Sequence, residues 1–363
     1  MKRLEPIEGL RAWLALWVVT DHVMSYSGFD DDGTLAGLPK LLREGTLAVD
    51  VFIAISGFVI FLLLDKRTEN YRQFVCRRFF RLYPLYLPLF LLAIPLSGLR
   101  LWVANHSQAY FTSSDQIFET NLVNSAWHGW LVNIPAHLTM LHGMVPDSLA
   151  GATMTRLTWL GPAWSISLEW QFYLVAPLAF FLATSSNAAW RTILFAACAG
   201  FFYLGHTFAW SDGFFPFHVE FFFIGALSYF AFKRHSPNVA AGKEPGTFLP
   251  AICAAWMLFL LAVKVREMIP LGLWLIFFGL LLEPEESVFA KTLLPLFTNP
   301  VAKFLGKISY SIYLSHELVL IAMQAVLLKC LPHLGRMAHF WVLLALTTGV
   351  TIAVSAVLYR KIE

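Results

Sequence analysis

The sequence has few charged residues. Only 13% of its 363 residues are Asp, Glu, Lys or Arg, and 58% are hydrophobic, whereas a soluble domain carries about 25% charged residues. A single aqueous core would not bury this much apolar surface, so we expect the bilayer to be the solvent for most of the chain. The composition therefore excludes an ordinary soluble enzyme and favours a polytopic membrane protein.

Other features are also missing. The net charge is only +3 and there is no long block of Lys and Arg, which argues against nucleic acid as a partner. The four cysteines, Cys76, Cys198, Cys253 and Cys330, include no Cys-x-x-Cys pair. We therefore predict neither a metal site nor a redox motif, and we interpret these cysteines as small apolar residues.

The chain has no internal repeat, no low-complexity tract and no appended soluble domain, so we expect a single domain over residues 1–363. Its first apolar run begins at Leu10 but contains Arg11, Asp21 and His22, and no small-residue cleavage site follows. We therefore interpret this run as a spanning helix and not as a signal peptide.

Long apolar runs dominate the rest of the chain. A spanning helix needs about 20 mostly apolar residues. On that basis we predict an all-α transmembrane bundle of about ten spanning helices, over residues 10–28, 47–64, 79–98, 167–184, 190–209, 217–233, 248–264, 266–283, 309–330 and 338–360. The segment 130–145 is apolar but short and is interrupted by Pro135, so we expect a re-entrant or interfacial segment there.

The positions of Lys and Arg predict the topology, because these residues accumulate in cytoplasmic loops. They occur at both ends of the chain and in alternate connections, above all between Lys66 and Arg81. The segment 105–155 contains neither, and it falls on the opposite side together with the acidic stretch 30–32. With ten spans, both termini are expected to be cytoplasmic, and we expect the bacterial inner membrane to be the host.

Two ionisable residues mark the first helix. Arg11 and His22 are eleven residues apart, so they differ by only about 20° around a helix and lie about 16 Å apart along its axis. Ionisable residues within spans are unfavourable, and each is a candidate functional residue. The alternatives are that Arg11 anchors the helix at the interface and that His22 is a hydrogen-bonded packing residue.

Further candidates follow the second predicted span. Arg78 and Arg81 are three residues apart and share a helical face, and paired guanidinium groups suit phosphate. The alternative is that they only mark the cytoplasmic side. Glu169 begins the fourth span among aromatic residues, and we expect it near the outer surface, where a plain interfacial carboxylate is the alternative.

Polar residues also occur inside other spans. The second span contains Asp50, Ser56 and Gly57, of which the small residues are ordinary at helix contacts. The ninth span opens with a dense polar stretch that includes Tyr313 and His316. A lone histidine is more often structural, but the density of polar groups here indicates a site.

Taken in order, these residues resemble acyltransferase family 3, a family of integral membrane proteins. The resemblance rests on five blocks: Glu8-Gly9-Leu10-Arg11 through His22; Asp50 to Phe58; Arg78, Arg81, Pro84 and Tyr86; Trp164, Ser165, Glu169, Phe172 and Tyr173; and Ser309 through His316. The stretch from Tyr359 to Glu363 also looks like the family's last segment, so the resemblance covers nearly the whole chain. Asp21 departs from the family pattern, and it receives no role because it points about 100° away from His22. We expect the stand-alone form, without an appended esterase-like domain.

The resemblance implies transfer of an acyl group, in the simplest case acetyl, from acyl-coenzyme A to a hydroxyl of a carbohydrate such as O-antigen or exopolysaccharide. Acyl-CoA would then be a co-substrate on the cytoplasmic side, with no metal and no permanently bound cofactor. The acceptor would be presented on the outer side. Direct transfer and a covalent acyl-histidine intermediate both remain open.

Residue roles follow from this scheme. Three residues are expected to be catalytic: His22 as general base, Arg11 to hold the donor or orient its thioester, and Glu169 to orient the acceptor. Six are expected to bind substrate: Arg78 and Arg81 at the coenzyme A phosphates, together with Asp50, Ser56, Tyr313 and His316, of which the last two would line the same cavity as the catalytic residues.

A transporter or flippase for a glycosidic or lipid-linked solute is the chief rival, because transporters also use buried ionisable groups. The lack of a visible inverted repeat and the basic pair in a cytoplasmic loop favour the enzyme. A purely structural membrane protein does not explain so many ionisable residues within the spans.

Overall fold

A computed structural model describes residues 4–29, 38–66, 69–146, 153–207, 210–240, 268–284 and 286–363. Within these ranges the chain forms helices and turns and no strand. The helices are α1 (Glu5–Ser27), α2 (Leu38–Leu42), α3 (Gly45–Lys66), α4 (Tyr71–His106), α5 (Ser113–His128), α6 (Trp130–Leu138), α7 (Trp164–Thr184), α8 (Ala188–Thr207), α9 (Val219–Ala240), α10 (Ile269–Leu282), α11 (Val288–Thr298), α12 (Pro300–Lys307), α13 (Ser309–Cys330) and α14 (Arg336–Lys361). The all-α bundle predicted from the sequence is confirmed.

Nine of the ten predicted spans coincide with helices of the described residues. The remaining predicted span, 248–264, lies outside the described residues, as do Cys253 and the acidic stretch 30–32. Seven of the described helices are long and apolar enough to cross a membrane, namely α3, α4, α7, α8, α9, α13 and α14. Two predicted spans are not among the seven: α10 has 14 residues, and α1 contains Arg11, Asp21 and His22.

The segment expected to be re-entrant or interfacial is short and broken in the structure. Helix α6 has nine residues and contains Pro135. A 3₁₀ turn follows at His142–Met144, and two more 3₁₀ turns, Thr155–Leu157 and Gly161–Ala163, lead into α7. These turns form a layer of irregular backbone over one end of α7.

Helix α4 is the longest of the described helices, with 36 residues. It begins at a capping box, in which Asn70 accepts a hydrogen bond from the Gln73 backbone and the Gln73 side chain accepts one from the Asn70 backbone. At 1.5 Å per residue it is about 54 Å long, which exceeds the hydrocarbon thickness of about 30 Å. The helix is therefore longer than a single crossing needs, and Arg78 and Arg81 are its eighth and eleventh residues.

Close contact between α3 and α9 builds the centre of the bundle. A Cβ added at Gly57 would lie 2.3 Å from the Phe222 carbonyl oxygen, and one added at Gly225 would lie 2.1 Å from the Ala54 carbonyl oxygen. Two glycines thus let the backbones touch on both sides of the crossing, as small residues do at helix contacts in membranes. This contact sets the position of α3, whose neighbouring face carries Ser56. Helix α1 packs against α3, α11, α12, α13 and α14.

Candidate active site

The three arginines singled out in the sequence come together around one cavity. We call it the arginine cavity, and it has a volume of about 330 Å³. Arg11, Arg78 and Arg81 line it, and they come from α1 and α4. Its remaining polar lining residues come from four helices and comprise Glu8, Ser56, Ser165, Glu169, Tyr173, Ser309, Tyr310 and Tyr313. The face shared by Arg78 and Arg81 therefore points into a cavity, as the spacing predicted.

The two arginines of α4 differ in their surroundings. Arg78 lies over the rings of Phe74 and Tyr173, and its Nε atom is buried without a hydrogen-bond partner among the described residues. Arg81 is paired with Glu363, at 2.6 Å between Nη1 and Oε2. A buried guanidinium N–H without a partner is unfavourable, so Arg78 is a donor available to an anionic ligand.

Glu169 belongs to the arginine cavity. Its Oε1 atom accepts a hydrogen bond of 2.9 Å from the Ser56 hydroxyl and another from the Tyr173 hydroxyl. The sequence led us to expect Glu169 in the outer half of the bundle with His22, but the structure places it beside the arginines at the middle of α3. The reason is that the irregular turns before α7 cover its first turn, so that Glu169 lies deeper than the start of a span suggests.

His22 faces a different cavity, which we call the histidine cavity, with a volume of about 220 Å³. Its lining includes Asp21 and Tyr26 from α1, and Phe118 and Trp164. Arg11 and His22 therefore line two cavities at different levels of one helix, whereas the sequence led us to expect the catalytic residues to line one cavity. Asp21 lines the histidine cavity as well, although its azimuth had suggested that it points away.

His316 lies behind His22. Its side chain is fully buried and lines neither cavity, so the expectation that it lies in the substrate cavity is wrong. Its Nε2 atom is 3.1 Å from Nδ1 of His22, and its Nδ1 atom is 2.6 Å from the Tyr313 carbonyl oxygen. His316 thus contacts the candidate base and not the space in which a substrate would bind.

Tyr313 and Val49 separate the two cavities, since both residues line each of them. The Tyr313 hydroxyl accepts a hydrogen bond of 2.8 Å from the Ser165 hydroxyl, and its ring meets that of Phe52 edge-on with 6.0 Å between the centroids. Tyr313 and Val49 therefore form a wall that the arginine cavity and the histidine cavity share.

A buried ionic network in the histidine cavity was not found from the sequence. Arg100 is bonded to Glu119, with 2.5 Å from Nε to Oε2, and its Nη1 atom lies 3.1 Å from Oε1 of Glu317. Glu317 also accepts a hydrogen bond of 2.8 Å from the Gly161 backbone N–H. The third predicted span ended at residue 98, which placed Arg100 in a loop. Extending that helix by two turns would have made Arg100 an ionisable residue within a span and hence a candidate.

Asp50, expected to bind substrate, lies elsewhere. Its Oδ1 atom is 3.2 Å from Nδ1 of His218, and it lines neither cavity. The pair joins α3 to the 3₁₀ turn Phe215–His218. The role of Asp50 in substrate binding stays a prediction, and its contact with His218 could not be read from the sequence because the two residues are far apart in the chain. Within the described ranges, no cluster of three or more His, Cys, Asp or Glu side chains could hold a metal ion.

Comparisons with known proteins agree with the resemblance. A sequence profile described as "Acyltransferase domain" matches residues 5–360. The "Acyltransferase MdmB" of Streptomyces mycarofaciens is 30% identical over 181 residues, which are 50% of this chain and 40% of that protein. The "Protein 2 in picA locus" of Rhizobium radiobacter is 28% identical over 176 residues, which are 47% of this chain and 71% of that protein. The match to the first relative thus spans about two fifths of its length. No solved structure matches the chain.

Proposed function

Because the chain belongs to the acyltransferase family 3, we propose that this membrane acyltransferase moves an acetyl group from acetyl-coenzyme A to a hydroxyl of a carbohydrate. The observation that carries the proposal is the pair of cavities separated by Tyr313. One is rich in arginine and the other contains His22, so that an anionic donor and a neutral hydroxylated acceptor each have a compartment of suitable chemistry.

The donor binds in the arginine cavity. Coenzyme A carries several phosphate groups, and Arg78 has a buried N–H without a partner to bind one of them. Arg81 is on the same side of α4 and lies over the ring of Tyr310. Glu169 is held by Ser56 and offsets part of the positive charge. The thioester then extends past Arg11 toward Tyr313.

The acceptor binds in the histidine cavity, where His22 removes the proton of its hydroxyl. When the Tyr313 ring moves aside, the hydroxyl oxygen attacks the thioester carbonyl, the new C–O bond forms and the C–S bond breaks. His22 then returns the proton to the coenzyme A thiolate. Arg11 lines the arginine cavity, where it holds the donor and orients its thioester. This is direct transfer, and it needs no acyl-enzyme intermediate.

The same arrangement supports a proposal for the orientation of the protein in its membrane. We propose that the arginine cavity opens toward the cytoplasm, where acyl-CoA is made, and that the histidine cavity lies toward the outer side. The host membrane is then the bacterial inner membrane, and the acceptor is a glycan such as O-antigen or exopolysaccharide. The name of the relative in Streptomyces mycarofaciens, an acyltransferase, supports the reaction but gives no acceptor.

The proposal is tested with purified protein in lipid nanodiscs, radiolabelled acetyl-CoA and a panel of candidate glycans. We expect label transfer by the wild type and a loss of about 100-fold or more for His22→Ala, the range for removal of a general base. The control is His128→Ala, which replaces an exposed histidine of α5. Undiminished transfer by His22→Ala at wild-type membrane abundance contradicts the assignment of the base. Acceptor movement without label transfer contradicts the proposed reaction.

A further inference from the structure

The contact between two histidines is the least explained feature of the site. His316 is fully buried in α13, and its ring lies 4.9 Å from that of His22 at an angle of 50°. Burying an imidazole among apolar helices is unfavourable unless its two nitrogens are satisfied. Since His316 lines neither the arginine cavity nor the histidine cavity and contacts His22, its role concerns His22.

Hydrogen bonding to the backbone fixes which nitrogen of His316 carries a proton. Its Nδ1 atom is 2.6 Å from the Tyr313 carbonyl oxygen, and a carbonyl oxygen can only accept. Nδ1 of His316 therefore donates. A neutral imidazole has one N–H and one lone pair, so its Nε2 atom is an acceptor.

The same reasoning extends to His22. Its Nδ1 atom is 3.1 Å from Nε2 of His316, and because Nε2 accepts, Nδ1 of His22 must donate. The single N–H of neutral His22 is thereby used, and its lone pair lies on Nε2. Glu317, next to His316 in the chain, is engaged with Arg100 and with the Gly161 backbone, so its carboxylate is already committed to other donors.

We propose that His316 is a positioning residue that holds His22 in the tautomer with a basic Nε2, and that the Tyr313 carbonyl sets this tautomer through His316. The inference rests on the proposed function, in which His22 is the base. During transfer the acceptor hydroxyl gives its proton to Nε2 of His22, while Nδ1–H stays bonded to neutral His316. When the C–S bond breaks, Nε2–H protonates the departing thiolate, and both histidines return to their starting state.

The arrangement has the logic of a base held by a third group, with a neutral imidazole in the place of a carboxylate. An imidazole is uncharged, so it orients His22 without adding a buried anion to a site that already contains Glu317 and Glu119. A neutral orienting group is favoured inside a helical bundle, because each buried charge there needs an oppositely charged partner.

Kinetics of two substitutions test the inference. His316→Leu removes the acceptor at Nε2, and we expect kcat to fall by about 100-fold while KM for acetyl-CoA and acceptor changes less than twofold. His316→Gln can offer an amide oxygen to Nδ1 of His22 and an amide N–H to the Tyr313 carbonyl. We therefore expect the kcat of His316→Gln to be at least tenfold higher than that of His316→Leu. A residue with only a packing role predicts no such rescue, because Leu fills the space at least as well.

A matched control comes from another buried histidine. His339 in α14 is fully buried and bonded to Gln324 at 2.8 Å, away from both cavities. His339→Leu is expected to lower thermal stability but to leave the turnover of the folded protein unchanged. Wild-type kcat for His316→Leu, or equal kcat values for the Leu and Gln variants, overturns the inference.

A spectroscopic experiment tests the tautomer without any reaction. In protein labelled with ¹⁵N-histidine, the two nitrogens of each neutral ring give distinct signals, and His22→Gln identifies those of His22. We expect His22 protonated at Nδ1 in the wild type and a mixture of tautomers in His316→Leu. Protonation of His22 at Nε2 in the wild type overturns the inference. Since this readout needs no substrate, it separates failure of the tautomer from failure of the proposed acyl transfer.

Discussion

At the scale of single residues, three neighbouring arginines of α4 differ in what they can bind. Arg78 has a buried N–H without a partner and lines the arginine cavity, whereas Arg77 is outside the cavity and paired with Glu69 at 2.6 Å. Arg81 lines the cavity but is held by Glu363. Arg78 therefore has a buried N–H that gains a hydrogen-bond partner when a phosphate arrives, whereas Arg77 and Arg81 each already contact a carboxylate.

Arg78→Gln is accordingly expected to raise KM for acetyl-CoA by about 10- to 100-fold, because a hydrogen bond to a charged group is worth about 1.5–3 kcal/mol. The value of kcat should change little, since the phosphates bind alike before and during the reaction. Steady-state kinetics with varied acetyl-CoA provide the measurement. Arg77→Gln is the matched control, with an expected KM within twofold of the wild type. An equal rise in KM for both variants would show that loss of one positive charge, and not loss of the Arg78 hydrogen bond, weakens acetyl-CoA binding.

The sequence identified several side chains of this site, but it did not show which of them contact one another. Arg11, Arg78 and Arg81 could be found because arginine near a span is unusual, and their shared cavity agrees with helical spacing. Arg100 and Glu119 were missed, since their meaning depends on contact with each other and with Glu317, which only the packing of α4 on α13 reveals.

At the scale of elements, the crossing of α3 and α9 depends on two glycines. Gly225→Val would place side-chain atoms inside the Ala54 carbonyl, which a Cβ at this position already approaches to 2.1 Å. The helices must then separate, and overpacking of this kind destabilises by about 1–3 kcal/mol or more. We expect a lower thermal unfolding midpoint in detergent and loss of transfer activity, because Ser56 moves with α3.

The control for this change is Gly200→Val in α8, where no atom lies within 4 Å of an added Cβ. That variant should unfold within a few degrees of the wild type. Equal midpoints for the two valine variants would show that the close contact does not limit stability.

The irregular layer between α6 and α7 packs on the end of α6 through two stacked histidines, His142 in the layer and His137 in α6. The rings of His137 and His142 are 4.0 Å apart at an angle of 7°, and Nε2 of His142 is 3.0 Å from the Ala163 carbonyl oxygen. Burial lowers the pKa of His142 to about 4, against the opposing effect of its hydrogen bond to Ala163. The folded protein thus holds this ring neutral at a pH at which an unfolded chain, with a pKa of about 6.5, would protonate it.

Stability should therefore fall as the pH drops from about 6.5 toward 4, because the unfolded chain binds the proton first. The loss attributable to His142 reaches about 3 kcal/mol at the low end, and it is absent above pH 7. Thermal unfolding midpoints between pH 7.5 and 4.5 measure it. His142→Phe keeps a stacking ring without a titrating group, so its midpoint should depend less on pH. An unchanged pH dependence would rule out a contribution from His142.

At the scale of the whole molecule, Tyr313 separates two compartments. Tyr313→Ala should join the arginine and histidine cavities and admit water to the thioester. We expect acetyl-CoA hydrolysis without acceptor to rise at least tenfold, and transfer per acetyl-CoA consumed to fall. Thiol release and label transfer, measured together, give this ratio. Tyr313→Phe keeps the ring and loses only the hydrogen bond from Ser165, so it should hydrolyse acetyl-CoA slowly. Rapid hydrolysis by the Phe variant would show that the hydrogen bond, and not the ring, excludes water.

The helices of the bundle could be predicted individually because each needs only a long apolar run. Their arrangement needed the structure: α1 is packed among α3, α11, α12, α13 and α14, and this surrounds Arg11 and His22 with protein. A sequence window around α1 shows the charged residues that make it less apolar but not the neighbours that bury them.

Two native cysteines can test which end of the bundle faces the cytoplasm. Cys76 and Cys330 are both exposed. Cys76 lies in α4 beside the arginines, while Cys330 ends α13, seventeen residues beyond Tyr313 and so about 26 Å further along that helix. Because the starts of α4 and α13 both line the arginine cavity, these cysteines mark opposite ends of the molecule. In variants that keep only one cysteine, a membrane-impermeant maleimide should label Cys76 in inside-out vesicles and Cys330 in right-side-out vesicles. The reverse pattern would place the arginine cavity on the outer side, where acyl-CoA is not available, and would contradict the proposed path of the acyl group from the arginines to His22.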